Sequence, residues 1–268
     1  MKKMTNETLL IKTDGHIATL TFNRPEKRNS LTPDILIQIY ETLNKFSEGS
    51  DIRAVVFTGA GDKAFCAGYD ISAIPTTANP EIQKLLKTTN PVELAMESIK
   101  NFPYPTLAMI NGHTFGAGFN LAMCCDIRIG SENLSMGMPP AKLGVVYHPE
   151  GIKQFIDALG MSMTREVFLT ARTYKGKEAK EKGLVDYLIP PEELEAFTYG
   201  LAGDITRNAP LSLKGTKRIL NMFEKSSSLS EADLKESRKL VREAFQSEDL
   251  KEGQMAFLEK RKPVFKGR

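Results

Sequence analysis

Cysteine is scarce in this chain. Its three residues, Cys66, Cys124 and Cys125, fit neither a disulfide framework nor a metal-ligand spacing. Two of them are adjacent inside an apolar stretch, which reads as buried thiols and a cytoplasmic protein. Long hydrophobic runs are missing too: none approaches the roughly 20 residues of a spanning helix, and the opening Met1-Lys-Lys-Met-Thr-Asn-Glu7 carries no signal-peptide core. No membrane partner is therefore expected. The glycine-bearing turns lack Gly-x-Gly-x-x-Gly spacing and a downstream acid, so no nicotinamide is expected, and no metal either. Charge of one sign does not dominate. The net charge is +3, but residues from 205 onward hold 15 Lys and Arg against 9 Asp and Glu, a surplus of 6. Such a basic tail suits solvated helix faces, the phosphates of a nucleotide, or RNA. The acids scattered through the same helices count against RNA.

What is present is the composition of one large globular unit or two small ones, 41% hydrophobic and 26% charged over 268 residues. Residues 17–22 and 53–59 have strand character. Between them Thr32-Pro33 forms an N-cap and first-turn proline, with Ile35, Leu36, Ile39, Tyr40, Leu43 and Phe46 at helical spacing. The order repeats with a strand at 106–110, a short helix near Leu121 and a strand at 126–129, followed by a late strand at 184–189. Alternation of this kind predicts an α/β core with mostly parallel pairing. Beyond Pro191 the pattern becomes helical, over about 191–207, 210–225, 230–246 and 250–261. These amphipathic helices must bury their apolar faces on the core or on another subunit. Residues 75–91 read as a loop placed where a lid would be, or as a plain surface excursion.

Two turns carry chemistry. Ala64-Phe-Cys-Ala-Gly-Tyr-Asp-Ile71 and Asn111-Gly-His-Thr-Phe-Gly-Ala-Gly-Phe-Asn120 each follow an apolar strand and open a helix. They can aim the N–H groups of Tyr69 and Ala117 at one point, where helix N-termini favour negative charge. A pair of fixed donors is the minimum apparatus of an oxyanion hole, suited to the enolate of a thioester.

With Arg24-Pro-Glu-Lys-Arg-Asn29, Leu143-Gly144, Lys182-Gly-Leu-Val185 and the ending Phe257-Leu-Glu-Lys-Arg-Lys-Pro-Val-Phe265, these motifs make the chain resemble the crotonase (enoyl-CoA hydratase/isomerase) superfamily over nearly its full length. The resemblance implies an α/β crotonase fold: a spiral of ββα units over residues 1–200, and a helical trimerisation region over 201–268. It implies a homotrimer or dimer of trimers, and an acyl-CoA substrate, with coenzyme A entering as part of the substrate and no separate cofactor. It also implies a thioester oxygen between the Tyr69 and Ala117 N–H groups. The adenine would lie near Lys27, Arg28, Ala67, Asp70 and Ile71, and Phe257 and Lys260 would approach the CoA of a neighbouring subunit.

Membership does not fix the reaction. Hydratases of this superfamily resemble one another in carrying two glutamates, which would fall at Asn120 and Pro140, and neither residue here is a carboxylate base. Leu143-Gly-Val-Val-Tyr-His-Pro-Glu-Gly-Ile152 is similar to the methylmalonyl-CoA decarboxylase branch, which has a tyrosine at the Tyr147 position and lacks the second glutamate. The match departs at Tyr69, where that branch carries histidine, and at Asn120, where it keeps glutamate. Decarboxylation of a malonyl-type thioester needs no base, and a neutral Asn120 does not repel an anionic acyl group. Tyr147 is a candidate partner for the carboxylate or a carbonyl, or a packed aromatic. His148 and Glu150 keep an enoyl-CoA isomerase or a divergent hydratase open, as proton shuttles, with Glu150 also explained by helix-dipole complementarity. A non-catalytic CoA- or RNA-binding homologue is the rival outside enzymes. His113 reads as structural and His16 as a surface residue.

Overall fold

The computed structural model describes residues 7–49, 51–70, 90–225 and 230–268. The helix expected from about Asp70 and all but the last two residues of the 75–91 loop lie outside them, as does Ile71. Strands β1 (Leu9–Asp14) and β2 (Ile17–Phe22) form an antiparallel hairpin. Helix α1 (Pro33–Ser47) follows, started as its sequence dictates: the Thr32 hydroxyl accepts the Ile35 N–H, and Pro33 occupies the first turn. Its buried stripe is Ile35, Leu36, Ile39 and Leu43.

From there strands come in pairs. β3 (Ala54–Gly59) leads to β4 (Ala64–Cys66), β5 (Thr106–Ile110) to β6 (His113–Phe115), and β7 (Ile127–Ser131) to β8 (Ser135–Gly137). The first member of each pair joins a six-stranded sheet of order β1-β2-β3-β5-β7-β10, the last being Tyr187–Ile189; the second joins a four-stranded sheet of order β4-β6-β8-β9, the last being Thr173–Lys175. Pairing is parallel except at β1/β2 and β8/β9. Helices α2 (Pro91–Asn101), α3 (Ala117–Cys124) and α4 (Pro149–Thr170) complete the successive turns. The α/β crotonase arrangement inferred from the sequence is thus the observed one. Strand β9 (Thr173–Lys175), α5 (Gly176–Glu181), β10 (Tyr187–Ile189) and α6 (Leu194–Thr206) close the sheets.

The central strands are buried on both faces, as parallel sheets covered by helices must be. Val55, Phe57, Ala108 and Ile110 face the main core with α1 and α3, whereas Ala54, Val56, Leu107, Met109 and Ile129 pack against Leu194 and Ala202 of α6. Two expected elements shrink. The late strand is confined to 187–189, because the Asp186 carboxylate accepts the Arg128 N–H and ion-pairs with its guanidinium, taking over the hydrogen bonding just before the ladder. The helix expected from 191 begins at Leu194, after a turn in which the Glu193 N–H donates to the Pro190 carbonyl. The short strands β4, β6, β8 and β9 carry too few residues for a period to be visible in sequence.

Helices α7 (Pro210–Lys225), α8 (Glu231–Gln246) and α9 (Glu248–Leu258) form the helical tail. One buried cation ties it to the sheets. Lys217, 6% exposed, donates to the Asp126 carboxylate at 2.6 Å and to the Tyr104 carbonyl at 3.0 Å. The same Asp126 oxygen accepts the Thr106 N–H at 2.7 Å and its hydroxyl at 2.9 Å, at the start of β5. Asp126 itself is partly exposed, but removing it leaves the buried Lys217 charge uncompensated. Asp126→Ala is therefore expected to cost about 1–3 kcal/mol, read as a lower urea midpoint at fixed protein concentration; an unchanged midpoint would dismiss the pair as the tether. Where α3 meets β4, a Cβ on Gly118 would lie 2.5 Å from the Cys66 carbonyl oxygen and 2.6 Å from the Cys66 Cβ. Gly118→Ala is expected to lower stability by roughly 1–3 kcal/mol, and a wild-type midpoint in the same urea titration would refute that backbone contact.

Candidate active site

The turn after β4 runs beside residues 28–31. The Ala67 N–H donates to the Arg28 carbonyl at 2.9 Å, the Leu31 N–H to the Gly68 carbonyl at 2.8 Å, and the Asp70 N–H to the Leu31 carbonyl at 2.8 Å. In this strand-like alternation Gly68 and Asp70 bond toward Leu31, which turns the intervening Tyr69 N–H to the other side. Arg24 clamps the segment from outside, ion-pairing with Asp70 at 2.8 Å and donating to the Ser30 carbonyl at 2.9 Å. Asn29 donates to the Ala60 and Ala64 carbonyls, and Asn111 to those of Gly59 and Gly61, so side-chain amides fix the turn between β3 and β4.

Gly68 has φ of +104°, and a Cβ there would sit 2.9 Å from the Phe115 carbonyl and 3.5 Å from the Ala117 nitrogen. The two turns identified in the sequence therefore lie against each other, backbone to backbone. Gly116, with φ of +53°, ends β6 and starts α3. Ala117 is then the first residue of α3, where a helical N–H has no acceptor within its own helix and the dipole is positive.

Both turns open on a cavity of about 900 Å³. Ala67, Tyr69 and Ala117 line it, together with Asn120, Pro140, Tyr147, His148 and Glu150. Apolar wall is supplied by Val92 and Met96 of α2 and by Leu143, Val145 and Val146. Tyr69, Ala117, Tyr147, His148 and Glu150, proposed from separate stretches of sequence, thus share one space. Lys27 and Arg28 lie exposed beside the turn rather than on the cavity wall, with the Arg28 carbonyl bonded to Ala67. Phe257 and Lys260 stand at the end of α9, exposed and away from this chain's own cavity. His113 bonds Ser135 on the neighbouring strand at 2.6 Å, in keeping with a structural role, and His16 bonds the Asp51 carbonyl.

The cavity floor is neutral and hydrogen-bonded. The Tyr147 hydroxyl donates to Asn120 Oδ1 at 2.9 Å, and Asn120 Nδ2 donates to Gln154 Oε1 at 2.6 Å. Burial pushes the Tyr147 phenol well above its ordinary pKa, so it stays protonated at neutral pH. The ring also packs against Phe168 with centroids 5.5 Å apart. The ring is thus a packed aromatic, and its hydroxyl is engaged by Asn120. Glycine at 151 lets α4 approach, since a Cβ there would collide with the Tyr147 ring and come within 2.9 Å of Asn120 Oδ1.

Two lining residues escape sequence reasoning. Glu93, at the first turn of α2, carries no local signal that sets it apart from any acid at a helix start. Gln154 looks like any polar residue on an amphipathic helix; only its burial, at 7% exposed, marks it, and burial depends on what packs opposite. Among the described residues no group of His, Cys, Asp and Glu is arranged to hold a metal ion, and no helix is long and apolar enough to cross a membrane.

Comparison with known proteins agrees with this geometry. The chain is 33% identical to the short-chain-enoyl-CoA hydratase of Clostridium acetobutylicum over 95% of each chain. It is 30% identical to the methylmalonyl-CoA decarboxylase of Escherichia coli K12, covering 98% of this chain and 100% of that protein. Among solved structures, an enoyl-CoA hydratase/carnithine racemase from Magnetospirillum magneticum superposes with a TM-score of 0.89 at 31% identity, over 98% of this chain and 96% of the other. The family model described as enoyl-CoA hydratase/isomerase matches residues 12–268, and the chain belongs to that family.

Proposed function

We propose that this family member is a lyase that decarboxylates a short carboxylated acyl-CoA of the methylmalonyl type. The observation that carries the reading is the neutral floor. At the two positions where a hydratase needs carboxylates stand Pro140 and an Asn120 already engaged with Tyr147 and Gln154. Decarboxylation asks for no base. The bond between Cα and the departing carboxylate breaks, CO₂ leaves, and the electron pair moves into the thioester to form an enolate. The Tyr69 and Ala117 N–H groups would hold the enolate oxygen, a contact stronger in the transition state than in the ground state. The enolate then takes a proton at Cα and leaves as the shortened acyl-CoA. An apolar wall around the acyl group favours this course, because a carboxylate is destabilised in an apolar site and CO₂ is not.

His148 and Glu150 support a second reading. Both line the same cavity, and many relatives carry hydratase names. A carboxylate at Glu150 would serve an isomerase or a divergent hydratase as its proton shuttle. Assembly as a homotrimer or dimer of trimers is the accompanying proposal. It is supported by apolar side chains left exposed on the tail helices, Phe223, Val241, Phe245, Met255 and Phe257 among them. Phe257 and Lys260 would then come near a neighbour's CoA, and Lys27, Arg28, Ala67, Asp70 and Ile71 near the adenine of this chain's own. Several of the tail's cations are paired with acids, as in Arg218–Glu236 and Arg261–Glu252, which favours a folded interface over RNA.

Mass spectrometry after incubation with methylmalonyl-CoA and, separately, crotonyl-CoA tests the reaction. Loss of CO₂ from the first without hydration of the second is expected; gain of water by the second would replace this reading with the Glu150 one. Tyr69→Pro, which removes one of the two donors, is expected to lower kcat by about 10²–10³-fold while the variant keeps its oligomer on size-exclusion light scattering. Undiminished turnover in a folded variant would refute the oxyanion hole.

A further inference from the structure

Asn120 does not act alone on the cavity floor. One of its amide hydrogens goes to Gln154 Oε1, and Nδ2 also lies 3.7 Å from Cys124 Sγ, while its oxygen takes the Tyr147 hydroxyl. In this arrangement Tyr147 has given its only hydrogen away and turns a lone pair to the cavity. A lone pair repels an acyl carboxylate, the group the proposed reaction must hold. Yet every member of the chain can exchange roles. An amide carries donor and acceptor on atoms of nearly equal size, and a phenol and a thiol each donate and accept. Half a turn of both amides keeps every contact and reverses its direction. Gln154 Nε2 then donates to Asn120 Oδ1, and Asn120 Nδ2 donates to the Tyr147 oxygen, freeing the phenol hydrogen. Cys124 can follow, because burial pushes its pKa up to about 12 and keeps the sulfur as a thiol able to donate.

We propose that Asn120 and Gln154 are positioning residues working as one reversible amide pair, which decides whether Tyr147 offers its oxygen or its hydrogen to the acyl group. The inference rests on the anionic-acyl reading above. It gives the amide at 120 a purpose that absence of charge alone does not. A glutamate there accepts only, and would hold the Tyr147 hydrogen permanently. Burial suits the pair to this role. Asn120 is 1% exposed and Gln154 7%, so water does not compete for either amide. Gly151 keeps the space beside the Tyr147 ring and Asn120 Oδ1 open.

The test compares two inert ligands, S-(2-carboxyethyl)-CoA and S-propyl-CoA, which differ in the terminal carboxylate. Calorimetry on wild type is expected to show tighter binding of the carboxyethyl thioether. Gln154→Glu puts an acceptor-only group at 154, fixes Asn120 Nδ2 toward it, and leaves Tyr147 locked onto Asn120 Oδ1. The preference for the carboxylate should fall roughly tenfold, with a far-UV circular dichroism spectrum and urea midpoint like those of wild type as the check on folding. Tyr147→Phe should lose the preference to the same extent, and the double variant should lose no more, because both act through one hydroxyl. Losses that multiply in the double variant would mean direct charge repulsion by Glu at 154 and overturn the proposal alone, as would a preference intact in Gln154→Glu. A wild type that binds both thioethers equally would overturn the anionic-acyl reading and this proposal with it. Neutron diffraction supplies the direct view: deuterium on the Tyr147 hydroxyl should point at Asn120 without ligand and at the carboxylate with S-(2-carboxyethyl)-CoA. Amides that keep one orientation in both crystals would overturn the pair.

Discussion

Everything at the site depends on the contact between two pieces of backbone, the turn after β4 and the first turn of α3. Gly68 faces the Phe115 carbonyl, and Gly118 faces the Cys66 carbonyl, both at distances no side chain permits. Side chains at either place would push α3 away from β4, and Tyr69 and Ala117 would no longer line one cavity. Preorganised dipoles act only if they do not have to move when charge develops. The two sheets provide that rigidity, since the strands leading into the turns are held in the parallel ladder β4-β6-β8.

The floor opposite those donors follows a different logic. Asn120, Gln154 and Tyr147 are buried polar groups that satisfy one another, and such a network is costly when half complete. Its neutrality is a chemical statement. A cavity with backbone donors at one end and an uncharged floor suits an anion that loses its charge as CO₂ departs. Chemistry that needs a base would have to draw instead on His148 or Glu150, at the N-terminal end of α4.

The helical tail is coupled to the sheets through few but buried interactions. Lys217 reaches the Asp126 carboxylate that also starts β5, so the tail and a central strand share one anion. The remaining apolar surface of α7 to α9 is broad and outward, consistent with the proposed assembly of several chains.

Much of this was legible in the residues. Thr32-Pro33 marks a helix start, the apolar runs at 53–59 and 106–110 mark strands, and the two glycine turns mark the backbone contact beside the cavity, because each is a local rule of backbone sterics or period. Local rules do not reach further. Residue 154 is one more polar position on a helix until α3 packs against it; Tyr147 is an aromatic near a helix start until Asn120 meets its hydroxyl. The short second sheet and the start of β10 likewise depend on partners distant in the chain, with the Asp186 carboxylate accepting the Arg128 N–H just before the ladder. Glycine sterics and strand period are written in neighbouring residues, so the family's backbone turns can be read along the chain. Which polar groups share the cavity floor was left to the packing of α3 on α4, because hydrogen bonds between residues 27 and 34 positions apart exist only once the chain has closed around them.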